Sequence, residues 1–288
     1  MKGKFENRSP YIKLCILALI FFACAIIATA LSSCYTAWSG YPYTPENLRL
    51  LLLIQNSILF IASPLIAQYL LWEKPASKVL CLDKPKTSIL LLGCATMIVS
   101  SPLIDTLNTW NQGLQLPESM HAIEQWMILN EKMADSLTQR MLQVHNWGGF
   151  VMNILVIAVL AGIGEELIFR GVLQKIFTEW TKNIHAGILI TAFIFSAIHF
   201  QFFGFVPRFV LGCLLGYLFV WGKSLWIPIL AHTLNNSLVV IFTSNDLNKG
   251  WWLTETITKM GNSVWLTLLS LVLVVACMWK IKTSDRKS

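Results

Sequence analysis

Glu165 and Glu166, His199 and His232, and Asn236 are the residues whose types and placement could do chemistry. The two glutamates interrupt the apolar run Leu160-Ala-Gly-Ile-Gly-Glu-Glu-Leu-Ile-Phe-Arg170, and of the 15 acidic residues only these two do so. His199 and His232 lie in apolar runs, whereas His121 and His145 sit in a polar segment and His185 opens a helix. Ionisable groups in a membrane helix are costly and face the bundle interior or a watery cavity. Carboxylates and imidazoles placed there move protons, or they tie helices together by hydrogen bonds. The residue types alone leave both open.

Spacing groups these residues. Positions four apart on a helix share a face, which pairs Glu166 with Arg170, Phe195 with His199 and His232 with Asn236. Glu165 then points about 100° away from Glu166. It lies about 16 residues before a turn near Thr181 and Lys182, and His199 about 17 after it, so both stand roughly 25 Å along a helical hairpin. His232 lies about eight residues past a turn at Gly222 to Ser224 and reaches the same depth if the first turn projects beyond the second.

The elements that must position them are membrane helices. The chain is 55% hydrophobic and 13% charged, against roughly 25% charged in a soluble domain, which excludes a soluble globule. Apolar blocks of about bilayer length run over about 11–32, 48–72, 88–105, 149–179, 183–201, 205–222, 225–243 and 262–281. Spanning segments must satisfy their own backbone hydrogen bonds. The expected fold is therefore all-α, a polytopic transmembrane bundle of about eight helices with one amphipathic extramembrane segment.

An even number of crossings puts 16 Lys and Arg, Arg170 among them, on one side and six, including Arg208, on the other. That bias predicts a cell-membrane protein with both termini cytoplasmic. The net charge of +7 forms no basic stripe, so no nucleic-acid partner is expected. Seven cysteines without metal-type spacing give no disulfide framework. Lys2 to Lys13, an apolar run and Leu31-Ser-Ser-Cys34 resemble a lipoprotein signal ending at a lipidated Cys34, but the long run suits an ordinary first helix better.

Residues 106–147 are polar, with Ile123, Met127, Leu129, Met133, Leu137, Met141 and Leu142 at near-helical spacing. They predict an amphipathic helix on the outer face or over the bundle, as a lid or packing element. Trp226, Trp251, Trp252 and Trp265 read as interfacial anchors. Gly162, Gly164 and Gly171 allow either close helix packing or room for a substrate backbone beside Glu165, and Gly212 with Gly216 reads as packing inside the bundle.

Gly164-Glu-Glu-Leu-Ile-Phe-Arg-Gly171 resembles the EExxxR motif of the CAAX-protease and bacteriocin-processing (CPBP) family of intramembrane proteases. Phe195-Ser-Ala-Ile-His199 resembles its FxxxH, Arg208 with Gly212 and Gly216 its small-residue helix, and His232-Thr-Leu-Asn-Asn236 its HxxxN. The likeness covers about residues 145–245 and implies a peptide-bond hydrolase acting on a membrane-associated protein or peptide in the bilayer. It implies that Glu165 activates a water as general base, that His199 holds that water, and that His232 and Asn236 donate to the oxyanion. Glu166 with Arg170 would orient the helix, with Phe195 in support.

The metal-free scheme is favoured. A zinc variant would instead use Glu165, His199 and His232 as ligands, with Glu166 as base. Two other readings compete: a non-catalytic membrane binding or bacteriocin-immunity protein on the same fold, and a transporter with a Glu-His proton relay. Duplicated halves, usual in transporters, are not evident, and all the motif residues are present. The expected organisation is membrane helices over 1–105, a non-cytoplasmic segment over 106–147, a protease-like core over 148–245, and a last helix with a basic tail over 246–288.

Overall fold

The computed structural model describes residues 2–40, 44–144, 146–243 and 263–285. His145, Trp251 and Trp252, and the cations Lys249, Lys259, Arg286 and Lys287 that enter the charge bias, lie outside the described residues. All the regular structure among the described residues is helical. Helix α1 (Pro10–Ser39) starts on a proline at N1 and ends where Gly40, at φ 66°, returns its N–H to Thr36 O. The left-handed value suits glycine. Helix α1 runs unbroken through Cys34, as a first membrane helix does.

Helix α2 (Pro45–Leu71) is capped by Thr44 and carries a π segment over Asn56–Ala62. Helix α3 (Thr87–Gln112) runs past the predicted apolar block, and its Asn111 donates to Phe202 O and accepts from Val206 N–H. The polar segment therefore begins inside α3, and its own helix is α4 (His121–Leu142). Helix α5 (Trp147–Thr181) spans 35 residues. The bundle continues through α6 (Ile184–Ala197), α7 (Phe205–Gly222), α8 (Trp226–Thr243) and α9 (Val264–Asp285).

The eight apolar blocks thus give eight helices, seven of them long and apolar enough to cross a bilayer. The exception is α6, whose 14 residues reach only about 21 Å. It stops where Phe200 takes up a left-handed φ of 52°. The chain alternates in direction. At one end of the bundle, Gly3 N–H donates to Tyr69 O, Lys13 pairs with Glu179 at 2.9 Å and Leu225 N–H donates to Cys81 O. At the other, Arg49 donates to Met141 O and Gln143 O, and Asn111 holds Phe202 and Val206.

The burial pattern is that of a membrane bundle. In α1 only Lys13, Leu17, Cys24 and Ala28 are buried, while Leu19, Phe22, Ile26 and Ile27 face outward. Half of the most apolar stretch of α5 is buried, against 17% in α1, so α5 is the central helix. One apolar cluster joins α1, α2, α5, α7 and α8 around Leu71, Val172, Ile176 and Ile229. A second joins α3, α7, α8 and α9 around Met97, Leu218, Ile227 and Ile281. The Gly212 and Gly216 face of α7 packs inside the bundle, against Ala192 and Ile188.

Candidate active site

The α-helical turn Ala161–Ile168 lies between two π segments of α5, Ile154–Leu160 and Phe169–Leu173. A π turn disturbs the i to i+4 ladder, and two carbonyls of the first segment take donors from other helices. Asn56 Nδ2 donates to Val156 O at 3.3 Å and Asn236 Nδ2 to Ile157 O at 3.4 Å. The flanking glycines allow two neighbouring helices to close in. A Cβ on Gly162 would stand 3.1 Å from Thr233 N, and one on Gly164 would stand 2.6 Å from Phe60 Cβ. Helix packing fills these positions, as does Leu80 against Gly171, so they leave no room for a substrate backbone.

On this scaffold Glu166 is fully buried, and its Oε1 accepts from Arg170 Nη1 at 2.6 Å and from His232 Nδ1 at 2.8 Å. The expected Glu166–Arg170 pair is formed. Arg170 also donates to Gly212 O at 2.8 Å and lies 5.1 Å from the Phe195 ring centre. Phe195 stands edge-on to His199 and His232, so its ring packs between the two histidines and the guanidinium. One buried carboxylate and one arginine therefore join α5, α6, α7 and α8.

Glu165, one position away, faces a cavity instead. Its Oε2 lies 3.7 Å from His232 Nε2. The cavity measures about 150 Å³ and is walled by Glu165, His199, Arg208, His232, Asn235 and Asn236. His199 lies in the turn beyond α6, and its Nδ1 is 2.7 Å from Phe195 O. A carbonyl only accepts, so Nδ1 carries the hydrogen and a neutral ring offers Nε2 as acceptor. The candidates from three separate motifs thus meet at one place.

Two polar wall residues were not foreseen from the sequence. Arg208 was counted as a topology charge, yet it lines the cavity and donates to Gln201 Oε1 at 2.9 Å. Its signal was being the sole charge between 205 and 222. Arg170, likewise counted as a topology charge, is buried. Asn235 lines the cavity next to Asn236 and donates to its side-chain oxygen.

Glu165, His199 and His232 share the cavity as the zinc variant requires. Among the described residues, however, no three His, Cys, Asp or Glu side chains are grouped so as to hold a metal ion.

Residues 147–238 match the family model described as type II CAAX prenyl endopeptidase Rce1-like. This match agrees with the CPBP resemblance read over residues 145–245. Bacillus subtilis (strain 168) has two relatives of this chain. The one named Putative membrane peptidase YdiL is 33% identical over 90 residues, 31% of this chain and 36% of the relative. The one named Uncharacterized protein YpbD is 30% identical over 86 residues, 28% of this chain and 41% of the relative. An uncharacterized 24.3 kDa protein of Escherichia coli is 29% identical over 98 residues, 32% of this chain and 44% of the relative. The chain thus spans less than half the length of each of these relatives. No solved structure matches it. The matched segment contains every wall residue of the cavity except Met97 of α3.

Proposed function

We propose that the chain is an intramembrane endopeptidase in which Glu165 activates a water to hydrolyse a peptide bond of a membrane-associated protein or peptide. The observation that carries this reading is the division of labour at His232. Glu166 holds Nδ1 at 2.8 Å, and Glu165 faces Nε2 at 3.7 Å at the wall of the cavity. One carboxylate is committed to structure, and its neighbour is left for chemistry.

In this scheme the water donates one hydrogen bond to His199 Nε2 and gives up its other proton to Glu165 as its oxygen attacks the carbonyl carbon. With Nδ1–H bonded to Glu166, His232 donates from Nε2 only as the imidazolium, and both of its N–H groups then point to carboxylates. That Nε2–H, with the second N–H of the Asn236 amide, stabilises the tetrahedral oxyanion. Glu165 returns the proton to the leaving nitrogen as the C–N bond breaks. Arg170 and Phe195 hold His232 and His199 in place, and Arg208 adds a positive charge to the wall. The reading includes the cell membrane as location, with both termini cytoplasmic.

The test is cleavage of a membrane-anchored peptide library by purified, reconstituted protein, wild type against Glu165→Gln, with and without a strong chelator. The scheme expects cleavage by the wild type, unaffected by chelation, and none by Glu165→Gln. Cleavage by Glu165→Gln at the wild-type rate overturns it. Loss on chelation with recovery on zinc transfers Glu165, His199 and His232 to a metal.

A further inference from the structure

A second cavity, of about 190 Å³, opens where the loop before α3, the end of α7, the start of α8 and the end of α9 meet. Its wall is amphiphilic. Lys84, Lys86 and Lys223 line it together with Ile89 and Trp221, and Ile281 lies fully buried beneath them. Lys282 adds a fourth cation, its Nζ 5.3 Å from the Trp221 ring centre. Asp83 is the one carboxylate among the described wall residues, and Lys78 holds it at 2.9 Å. Lys84, Lys86 and Lys282 make this wall cationic, at the end of the bundle where most of the lysines lie. Ile89 and Ile281 also belong to the apolar cluster of α3, α7, α8 and α9, so the floor is continuous with the interior.

We propose that this cavity seats the headgroup phosphate of an anionic phospholipid, with the glycerol end of its acyl chains over Ile89 and Trp221. A phosphate diester presents acceptors only, and lysine ammonium groups are compact donors that meet it as point charges. Basic pockets between membrane helices at the lysine-rich face bind such headgroups. A zwitterionic lipid brings its own cation toward the lysines. A free phosphate shares the anion chemistry but has nothing to lay on the apolar floor. The site is independent of the proteolytic one and does not rest on that reading.

The test uses the full chain in phosphatidylcholine nanodiscs with increasing phosphatidylglycerol, read by native mass spectrometry of retained lipid and by melting temperature. Wild type is expected to retain one phosphatidylglycerol in preference to phosphatidylcholine and to melt higher with it. Lys84→Gln/Lys86→Gln is expected to weaken that retention roughly tenfold or more. Ser284→Asp, which places a carboxylate in the wall, is expected to weaken it too, whereas Lys74→Gln/Lys182→Gln, the same charge change elsewhere, leaves it unaltered. Equal retention by wild type and Lys84→Gln/Lys86→Gln, or equal retention of both lipids, overturns the proposal. Displacement of the lipid by glycerol 3-phosphate at matched concentration overturns it in favour of a soluble anion.

Discussion

His232 stands between two neighbouring glutamates and uses a different ring nitrogen for each: Nδ1 meets Glu166 at 2.8 Å and Nε2 faces Glu165 at 3.7 Å. The two carboxylates differ in what else they touch. Glu166 also carries Arg170 with no exposure to solvent, whereas Glu165 borders a cavity. The same substitution should therefore separate function from stability. Glu165→Gln is expected to abolish cleavage with little change in melting temperature. Glu166→Gln leaves Arg170 buried without its counter-charge and should cost about 3–5 kcal/mol of stability as well as activity. Equal losses of stability in the two variants would contradict this assignment.

Glycine packing gives a second contrast. Gly164→Ala puts a methyl 2.6 Å from Phe60 Cβ and 3.1 Å from Phe60 O, so backbone as well as side chain must shift. Overpacking of this kind costs about 1–3 kcal/mol. At Gly113 a Cβ would meet nothing nearer than 3.5 Å, and Gly113→Ala should be close to neutral. Thermal unfolding in detergent reads both. A neutral Gly164→Ala would restore the possibility that this position leaves room for substrate.

How far the sequence foretold this site depends on the range of the interaction. Glu166 with Arg170 was legible because helix geometry fixes what lies four residues away. That Glu165, His199 and His232 share a depth was legible from loop positions, since a hairpin turns residue counts into height. The bond from Asn236 to Ile157 O was not, because it follows from a π segment that no spacing rule marks. Arg208 was misplaced because a lone cation in an apolar run looks the same whether it ends a helix or lines a cavity. The glycines near Glu165 allowed two readings until Phe60 and Thr233, remote in the chain, were seen to fill the space.

Glu131 on α4 accepts from Phe203 N–H at 3.4 Å, next to the loop that carries His199. Burial pushes its carboxyl above the ordinary value of 4.5, with Asp135 adding to the rise and the Phe203 bond and Arg208 opposing it. The folded state therefore binds this proton more tightly than the unfolded state. Stability from this group is then highest below the ordinary value and falls as pH rises through the folded-state value. Glu131→Gln retains an acceptor for Phe203 but does not titrate. Between pH 4 and 8 the melting temperature of the wild type should fall relative to that of Glu131→Gln, and a constant difference would refute the linkage.

Lys13 is buried on α1 and meets both oxygens of Glu179 at 2.9 Å near the end of α5, which ties the first helix to the central one. Glu179 is 43% exposed at its side chain, so solvent screens the pair. A double-mutant cycle with Lys13→Met and Glu179→Gln should return a coupling of about 1 kcal/mol. Zero coupling would mean that this pair does not hold α1 to α5, leaving α1 to its apolar face through Leu17, Cys24 and Ala28 and to the Tyr35 hydroxyl on Asn47 Oδ1.

Orientation in the bilayer can be read from two exposed serines at opposite ends of the bundle. Ser77 lies in the short helix Ala76–Val79 between α2 and α3, and Ser136 lies on α4. Burial of Arg170 removes one cation from the lysine-rich end, and placement of Arg208 in the cavity removes one from the other. The bias in the remaining charges keeps its direction, and the proposed orientation, with the Ser77 end in the cytoplasm, rests on it. In a background free of native cysteines, Ser136→Cys should react with an impermeant maleimide on intact cells, and Ser77→Cys only after permeabilisation. The reverse pattern would invert the orientation. Its bearing on the mechanism is direct: His232 lies six residues into α8 from the Ser77 end, whereas His199 follows the end of α6 and Arg208 lies three residues into α7 at the Ser136 end, so the labelling tells which compartment faces the His199 side of the cavity.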